Sequence, residues 1–358
     1  MKKRGINDFA LKMMRLYSAK KQFPVNGQIE LTYRCNLACV HCYCEGFDSS
    51  VPELTTAELK IILDQMRKEG CLYLCLTGGE PLIRNDFMDI YLYAKRKGFI
   101  ITLFSNATLL NKDVAKKLEK SPPCSIEITL NGITQETYER ITQVSGSFKQ
   151  ALANIIDLVK RNLPVVLKTN CLKQNFQEIA GIKSFADKLL GRRQGRGKFI
   201  YDTMIYPRLN GDQTPCRYRL SSQELLQMRK NDPDIWKEYK KMFCLGFSDL
   251  KRDKKYLYHC DTWRNSFFIT PYGKLRFCQF SSKFESDLRY YSLREGFYNS
   301  FPRVLNEEFK SDSKCKECRF RPACYYCPAR AFLETGNEES PVEYFCHLAN
   351  GSSWQSSN

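Results

Sequence analysis

Short apolar stretches with the length of β-strands alternate along the chain with longer stretches in which apolar residues recur every three or four positions. The strand-like stretches cover residues 28–33, 72–77, 100–105, 125–130, 165–169 and 199–206. The helix-like stretches between them cover residues 55–70, 86–97, 111–120, 147–161 and 176–190. Thr55 and Glu58 form a capping box where the first of these helices should begin. This alternation predicts an α/β fold built on a parallel sheet with right-handed crossovers.

Six repeats of a strand followed by a helix predict a partial (β/α)6 TIM barrel over residues 28–210, open because a closed barrel needs eight repeats. In such barrels the functional site lies at the C-terminal ends of the strands. The flanking segments predict an amphipathic helix within 1–27, a helical bridge at 211–243, a cysteine-rich domain at 244–350 and a disordered tail at 351–358. Short strands and dense aromatics in the cysteine-rich segment favour a domain held together by metal.

The composition narrows the class of protein. The chain has 17 cysteines but no export signal, and an odd count does not suit a secreted disulfide scaffold, so we expect cysteines that bind metal in the cytoplasm. No stretch approaches the roughly 18 apolar residues of a membrane-spanning helix. The net charge of +17 suits an anionic partner such as an acidic peptide or RNA, and it equally suits a surface with scattered lysines.

Three cysteines with the spacing Cys35-x3-Cys39-x2-Cys42 directly follow the first predicted strand. A 4Fe–4S cluster normally takes four thiolates, so three of them leave one iron with an open coordination site. A structural zinc ion is the alternative, although zinc favours two Cys-x2-Cys pairs or distant Cys/His sets. This loop resembles the cluster-binding loop of the radical SAM superfamily. The resemblance implies that His41 packs against the cofactor, where the family usually has an aromatic residue.

The segment Thr77-Gly78-Gly79-Glu80-Pro81 ends the second predicted strand. Glycines let the backbone approach a ligand closely, and the Glu80 carboxylate can accept hydrogen bonds from an ammonium group. An isolated match of this kind would be a plain turn. Because it lies one βα unit after the cysteine loop, the stretch from Gly78 to Pro81 resembles the radical SAM motif that grips the methionyl amino group of S-adenosylmethionine (SAM).

The segment 128–132, followed by Arg140, resembles the fourth-strand segment of the same superfamily, which commonly has the sequence Ile-Ser-Leu-Asp-Gly and a later arginine. The resemblance implies that Thr129 reaches the cofactor ribose and that Arg140 binds the cofactor carboxylate. The chain departs from this pattern, since Thr129 stands where the family has serine and Asn131 where it has aspartate. A solvent-facing Arg140 is the alternative.

The C-terminal cysteines follow an order that resembles the SPASM domain, which typically holds two auxiliary 4Fe–4S clusters. The resemblance implies an outer cluster bound by Cys315, Cys318, Cys324 and Cys346 and an inner cluster bound by Cys260, Cys278 and Cys327. The inner cluster then lacks an obvious fourth ligand, which is either Cys244 or an open coordination site. The alternative is one zinc ion bound by the pairs Cys315 with Cys318 and Cys324 with Cys327, although their five-residue spacer is short for this.

Together these resemblances imply an enzyme in which a 4Fe–4S cluster binds SAM and cleaves it reductively, so that a 5′-deoxyadenosyl radical abstracts hydrogen from a peptide or protein. We expect maturation of a ribosomally synthesised peptide, with a reductase, flavodoxin or ferredoxin as electron donor. Only about 27 residues precede the first strand, so we expect any leader-recognition domain on a separate protein. Neither a membrane nor a nucleic acid is expected as a partner.

Other functions remain open at this point. Oxidation of a sulfatase is one, but sulfatase maturases usually carry an aspartate after the cysteine of the Gly-x4-Cys motif, where this chain has Gln279. Radical modification of an RNA or a small metabolite is another, which the positive charge favours. A non-catalytic iron–sulfur electron carrier is the last, and in it the stretch from Gly78 to Pro81 would have no purpose. The sequence identifies no general base.

Overall fold

The computed structural model describes residues 22–191, 199–232, 236–237, 254–321 and 324–353. Among these residues nine strands form one sheet in the order β6-β5-β4-β3-β2-β1-β7-β8-β9. The strands are β1 (Asn26–Glu30), β2 (Tyr73–Thr77), β3 (Ile100–Ser105), β4 (Ser125–Thr129), β5 (Val165–Asn170), β6 (Phe199–Asp202), β7 (Ser266–Ile269), β8 (Lys274–Arg276) and β9 (Ser286–Asp287). Strands β1 to β6 pair in parallel in chain order, so the predicted α/β partial barrel is confirmed.

Helices follow the barrel strands, and further helices lie in the C-terminal part of the chain. They are α1 (Thr56–Lys68), α2 (Phe87–Arg96), α3 (Lys112–Lys120), α4 (Gln135–Thr142), α5 (Ser147–Lys160), α6 (Ile179–Leu190), α7 (Ser222–Lys230), α8 (Leu293–Glu295), α9 (Pro328–Thr335) and α10 (Glu343–Ser353). Helix α1 begins at the predicted capping box, in which the Thr55 hydroxyl accepts the Glu58 N–H at 3.2 Å and the Glu58 carboxylate accepts the Thr55 N–H at 2.7 Å. Helix α4 has no counterpart in the sequence prediction.

Successive residues of the parallel strands face two different environments. On the helix side lie fully buried aliphatic residues such as Ile29, Leu76 and Leu103, which belong to the main hydrophobic core. On the inner side of the open barrel lie polar residues such as Gln28 and Glu127, which line a cavity. The sheet therefore buries its apolar face under the helices and keeps its concave face for a polar ligand.

The C-terminal strands extend the barrel sheet instead of forming a sheet of their own. Strand β7 pairs in parallel with β1, with Phe268 opposite Gln28, and β8 and β9 add two antiparallel strands beyond it. The boundary predicted at residue 244 therefore does not divide the sheet. This pairing brings the segment after β8 to the mouth of the barrel, next to the loop that follows β1.

Several predicted segments fall partly or wholly outside the described residues. The amphipathic helix within 1–27 lies almost entirely outside them, and so does Cys244. Helix α7 lies within the predicted bridge at 211–243. Helix α10 ends at Ser353, three residues inside the segment predicted to be a disordered tail. In the part of the chain that the structure describes, no helix has the length and apolarity needed to cross a bilayer.

Candidate active site

A cavity of about 460 Å³ opens at the C-terminal ends of the parallel strands. Every strand from β1 to β6 contributes to its wall, as the partial barrel predicts. The loop after β1 adds the three cysteines Cys35, Cys39 and Cys42. The C-terminal part of the chain closes the opposite side with Gln279 and Phe280. The cavity thus lies between the barrel and the segment that follows β8.

The loop that carries the three cysteines is anchored to the end of helix α4. The N–H groups of Ala38 and Val40 donate to the carbonyls of Thr142 and Ile141, each at 3.0 Å. These bonds act on the backbone between the first and third cysteines, so they fix the shape of the loop without using its thiols. The loop is therefore held open toward the cavity before any ligand binds.

The donor set of this loop suits an iron–sulfur cluster. Burial raises the pKa of the Cys39 thiol, and the neighbouring thiolates of Cys42 and Cys35 raise it further. Within the described ranges, no three His, Cys, Asp or Glu side chains converge closely enough to share a single metal ion. Three thiolates from one loop are the donor set that a 4Fe–4S cluster with one open iron takes.

A fourth cysteine, Cys44, supports the loop from below. A hydrogen bond from its buried thiol lowers the pKa of Cys42, which favours the thiolate form that binds iron. The same thiol lies 3.9 Å from the carbonyl oxygen of Gly78. Cys44 therefore sits behind the ligands, between the cysteine loop and the turn after β2.

Gly78 and Gly79 bring the turn after β2 against the turn after β1. A Cβ atom at Gly78 would lie 2.3 Å from the carbonyl oxygen of Thr32, and one at Gly79 would lie 2.3 Å from that of Arg34. The Gly79 N–H donates to the Thr32 carbonyl at 2.7 Å. Both glycines also line the cavity. Glycine is therefore required because the two turns of the protein approach each other closely. The same packing places the backbone of Gly78 and Gly79 at the cavity.

Glu80 is turned away from the cavity, contrary to the expectation that its carboxylate accepts from the SAM ammonium group. Its side chain is fully buried and accepts the Asn106 N–H at 2.7 Å and the Ser105 hydroxyl at 3.0 Å. Burial raises the pKa of Glu80 to about 7. Pro81 is buried as well and begins a short 3-10 turn. What this motif presents to the cavity is the backbone of the two glycines.

His41 lines the cavity, where the resemblance places it. Asn131 uses its carbonyl oxygen to accept from the Asn170 N–H at 2.9 Å and from the Thr169 hydroxyl at 3.1 Å, which turns its NH2 group toward His41 Nε2 at 3.3 Å. Burial lowers the pKa of His41 to about 4, so the ring is neutral. Nε2 then accepts, and Nδ1, which is buried without a hydrogen-bond partner, carries the proton. His41 therefore contributes a neutral ring to the wall of the cavity.

The structure places the two candidate residues of the fourth-strand segment in different surroundings. Thr129 lines the cavity at the end of β4. Arg140 lies on α4 with about half of its side chain exposed, and it donates to the Gln174 carbonyl at 3.2 Å and pairs with Glu136 at 3.7 Å. The structure thus places Arg140 in the solvent-facing arrangement rather than at the cavity.

Two charged residues inside the barrel, Lys168 on β5 and Glu127 on β4, were not predicted from the sequence. Lys168 on β5 lies 3.5 Å from Glu127 on β4, and its ammonium group sits over the ring of Phe104. Burial lowers the pKa of Lys168. Asp202 at the end of β6 also lines the cavity. A polar residue at alternate positions of an otherwise apolar strand is the sequence feature that could have predicted them.

Four of the C-terminal cysteines line a second, smaller cavity of about 80 Å³. They are Cys315, Cys318, Cys324 and Cys346, the set that the resemblance assigns to an outer cluster. Phe345 and Val342 form part of the same wall, so the thiols lie in apolar surroundings. The zinc alternative would use Cys327 in place of Cys346, which does not match this grouping.

Cys260, Cys278 and Cys327 form a separate group. Burial raises the pKa of Cys278 to about 12, and the charges of Cys327 and Cys260 act in the same direction, as expected for thiols that are close together. The Cys260 sulfur lies 2.8 Å from the Thr262 hydroxyl. This is the set that the resemblance assigns to an inner cluster, and the candidate fourth ligand, Cys244, lies outside the described residues.

Comparisons with known proteins find relatives of this chain. Residues 29–186 match the family model described as the radical SAM superfamily. The AdoMet-dependent heme synthase of Methanosarcina barkeri is 29% identical over 335 residues, which cover 87% of this chain and 94% of that protein. The mycofactocin maturase MftC of Mycolicibacterium smegmatis is 33% identical over 183 residues, which cover 49% of this chain and 46% of the relative.

A solved structure has a similar fold. Streptococcus suis SuiB, bound to its precursor peptide SuiA, superimposes with a TM-score of 0.68 at 15% sequence identity. The match covers 93% of this chain and 78% of SuiB, so it includes the C-terminal part as well as the barrel. At this level of identity the likeness concerns the fold alone.

Proposed function

We propose that this chain, which carries a radical SAM domain over residues 29–186, matures a peptide by abstracting hydrogen in the cavity at the mouth of the barrel. The chain is a radical SAM enzyme, and its cofactors are a 4Fe–4S cluster and SAM. The peptide substrate and the roles of individual residues are our proposal. They rest on the arrangement of the cavity and of the cleft beside it.

In this proposal Cys35, Cys39 and Cys42 bind the cluster and leave one iron free for SAM. The backbone of Gly78 and Gly79, together with His41 and Thr129, surrounds the rest of the SAM molecule. When bound and reduced, the cluster supplies the electron that splits SAM into methionine and a hydrogen-abstracting 5′-deoxyadenosyl radical. Gln279 and Phe280 close the cavity and exclude water from it.

One observation carries the assignment to a peptide. A cleft of about 780 Å³ shares Phe280 as a wall with the cavity, and Glu45, Lys283 and Phe332 lie further along it. A chain-like substrate can place one residue in the cavity and lay its neighbours along such a cleft, whereas a compact metabolite would leave the cleft unused. The relative named as a mycofactocin maturase supports the same class of substrate.

The proposal also includes components that accompany this chemistry. A reductase, flavodoxin or ferredoxin of the cytoplasm supplies electrons, and a separate protein recognises any leader sequence. The two groups of C-terminal cysteines hold auxiliary 4Fe–4S clusters, the outer one complete and the inner one completed by Cys244 or left open. An uncharged Gln279 in the cavity, which accepts from Gln28 at 3.4 Å, argues against sulfatase-type oxidation because it cannot take up a proton as a carboxylate does.

A second candidate function is the modification of a tetrapyrrole. The AdoMet-dependent heme synthase of Methanosarcina barkeri matches over 94% of its own length and over 87% of this chain. The maturase match covers less than half of either chain. A carboxylate-bearing macrocycle is therefore the small metabolite that should be compared with a peptide as the substrate.

The substrate class can be tested with protein reconstituted without oxygen, then supplied with dithionite and SAM. We expect a short peptide encoded beside the gene to raise 5′-deoxyadenosine formation at least tenfold and to pass deuterium from a labelled residue into that product. Iron-coproporphyrin III serves as the comparison. If the macrocycle transfers deuterium and no neighbouring peptide does, the peptide assignment is wrong and the second candidate is correct.

A further inference from the structure

Lys168 is the only lysine or arginine among the described residues that line the cavity at the barrel mouth. It lies on β5, and in the register of the sheet it stands beside Thr129 of β4 and Ile200 of β6. All three residues line the cavity. Because the proposed function assigns Thr129 to the surroundings of SAM, Lys168 carries a positive charge next to the proposed cofactor site.

The contacts of the Lys168 ammonium group leave it able to bind an anion. Its Nζ lies 3.5 Å from a carboxylate oxygen of Glu127, which is longer than the 2.7–2.9 Å of a charge-assisted hydrogen bond. It also lies 3.1 Å from the centre of the Phe104 ring, whose face attracts a cation but offers no acceptor oxygen. An ammonium group has three N–H donors. About a fifth of the Lys168 side chain (22%) is exposed, so an anion inside the cavity can reach it.

The other charges of the cavity do not exclude an anion at this position. Glu127 is balanced by Lys168 itself. Asp202 lies one residue pair nearer the mouth, opposite Asn170, and it accepts the Met204 N–H at 2.9 Å. The sulfonium of SAM brings one positive charge into the same cavity, which offsets the charge of Asp202. Because Coulomb energy falls with distance, an anion in direct contact with the ammonium gains more than it loses to carboxylates further away.

We propose that Lys168 is a specificity-determining residue that binds a carboxylate of the peptide substrate inside the barrel. This inference rests on the proposed function, which brings part of a peptide into the cavity. The anionic groups of an unmodified peptide are the aspartate and glutamate side chains and the C-terminus, and all of them are carboxylates. The contact holds the part of the peptide that enters the cavity at a fixed place beside SAM. A peptide with an apolar or basic group at that place leaves the ammonium without an anion and binds more weakly.

The test measures peptide affinity by calorimetry with the full-length reconstituted protein and SAM, without a reductant, so that SAM stays intact. The probes are the short synthetic peptide encoded beside the gene and versions of it in which one carboxylate at a time is replaced by an amide. We expect the wild type to bind one amide version about tenfold or more weakly than the parent peptide, because a hydrogen bond between charged groups is lost. The position of that amide distinguishes a side-chain carboxylate from the C-terminal one.

Variants of Lys168 show whether this residue causes the preference. Lys168→Met removes the charge and keeps an unbranched side chain, so it should bind the parent peptide and that amide version equally well. Lys168→Arg keeps the charge and should keep most of the preference. Lys97→Met is the control, since it breaks a pair with Asp64 on the outer side of the barrel and should keep the wild-type preference. If Lys168→Met does not fold, the double variant with Glu127→Gln gives the same comparison, because it leaves neither charge of the pair alone.

The outcomes separate this inference from the proposed function. If the wild type binds the parent peptide and every amide version equally, the inference is overturned while the peptide assignment stands. The inference is also overturned if Lys168→Met, or the double variant in its place, keeps the preference of the wild type. If no neighbouring peptide binds to the wild type, the peptide assignment fails and the inference fails with it. A preference that is lost in these variants and kept in Lys97→Met supports the inference.

Discussion

Glu80 shows how a single buried charge connects the strands around the site. Its carboxylate joins the end of β2 to the end of β3 through the Asn106 N–H and the Ser105 hydroxyl. Asn106 in turn donates its side-chain NH2 group to Asn36 Oδ1 at 3.0 Å, next to Cys35. The carboxylate therefore supports the cysteine loop through two hydrogen bonds in series, without contacting the cavity itself.

The ionisation of Glu80 predicts a pH dependence of stability. Its pKa is about 7 in the folded protein against an ordinary value of 4.5, so the folded state binds the proton more tightly. The free energy of unfolding should therefore fall as pH rises from 4.5 to about 7, by roughly 1–3 kcal/mol from this group. Glu80→Gln lacks this proton equilibrium. Urea unfolding at pH 5 and pH 7.5 should show a larger loss for the wild type than for the variant, and equal losses would contradict the assignment.

The sequence did not predict the direction in which the side chains of Glu80 and Arg140 point. Spacing alone located the three cysteines and the two glycines, because each needs a particular interval along the chain. Glu80 and Arg140 were assigned to the cofactor by resemblance, and their orientation depends on which neighbouring strand or loop accepts their hydrogen bonds. Those partners, Ser105 and Asn106 for one and Gln174 for the other, lie 25 to 34 residues away in the chain.

At the scale of elements, two turns packed against each other form the floor of the site. The turn after β2 passes so close to the turn after β1 that neither Gly78 nor Gly79 has room for a Cβ atom. The N–H of Gly79 and that of Glu80 both donate to carbonyls of the first turn. Because the cysteine loop continues directly from that turn, the contact sets the position of its thiols.

A matched pair of glycine substitutions tests this contact. Gly78→Ala should destabilise the fold by several kcal/mol and reduce the iron content, since its Cβ would meet the Thr32 carbonyl oxygen at 2.3 Å. Gly98 also has a positive φ, +84°, but its Cβ would meet no atom within 4 Å. Gly98→Ala should therefore cost only the backbone strain of about 1 kcal/mol. Urea midpoints and iron counts that are the same for both variants would show that the contact is unimportant.

Periodicity predicted the elements of the barrel better than those beyond it. Strands and helices of six successive units have lengths and apolar spacings that only one kind of element satisfies. Helix α4 was missed because its eight residues, Gln135–Thr142, are mostly polar. Strands β7 to β9 have two to four residues each, and their addition to the barrel sheet depends on pairing with β1, about 240 residues earlier in the chain.

At the scale of the whole molecule, the barrel and the C-terminal part are joined by a buried ion pair as well as by the sheet. Arg219 donates from both Nη atoms to the Glu334 carboxylate at 2.6 and 2.7 Å, and from Nε to the Ile205 carbonyl at 2.8 Å. Only 6% and 15% of the two side chains are exposed. Glu334 lies on α9, the helix that begins just after Cys327, so Arg219 connects that helix to the carbonyl of Ile205 in the barrel.

Removing one partner of this ion pair should lower the free energy of unfolding considerably. Glu334→Gln leaves the Arg219 guanidinium buried without a counter-charge, and we expect it to lower the free energy of unfolding by about 3 kcal/mol. Glu317→Gln is the control, since it breaks an exposed pair with Lys254 and should cost less than about 1 kcal/mol. Denaturant unfolding of both variants gives the comparison, and a Glu334→Gln protein as stable as the control would refute this role.

The central claim is that three cysteines at the barrel mouth bind a cluster with an iron left open for SAM. Its most direct test is the formation of 5′-deoxyadenosine by protein reconstituted without oxygen, with dithionite as electron source. Cys39→Ala should abolish that product, whereas Cys124→Ala, which changes a cysteine outside the loop, should retain it. If Cys39→Ala forms 5′-deoxyadenosine at the wild-type rate, the three-cysteine site is not where SAM is cleaved.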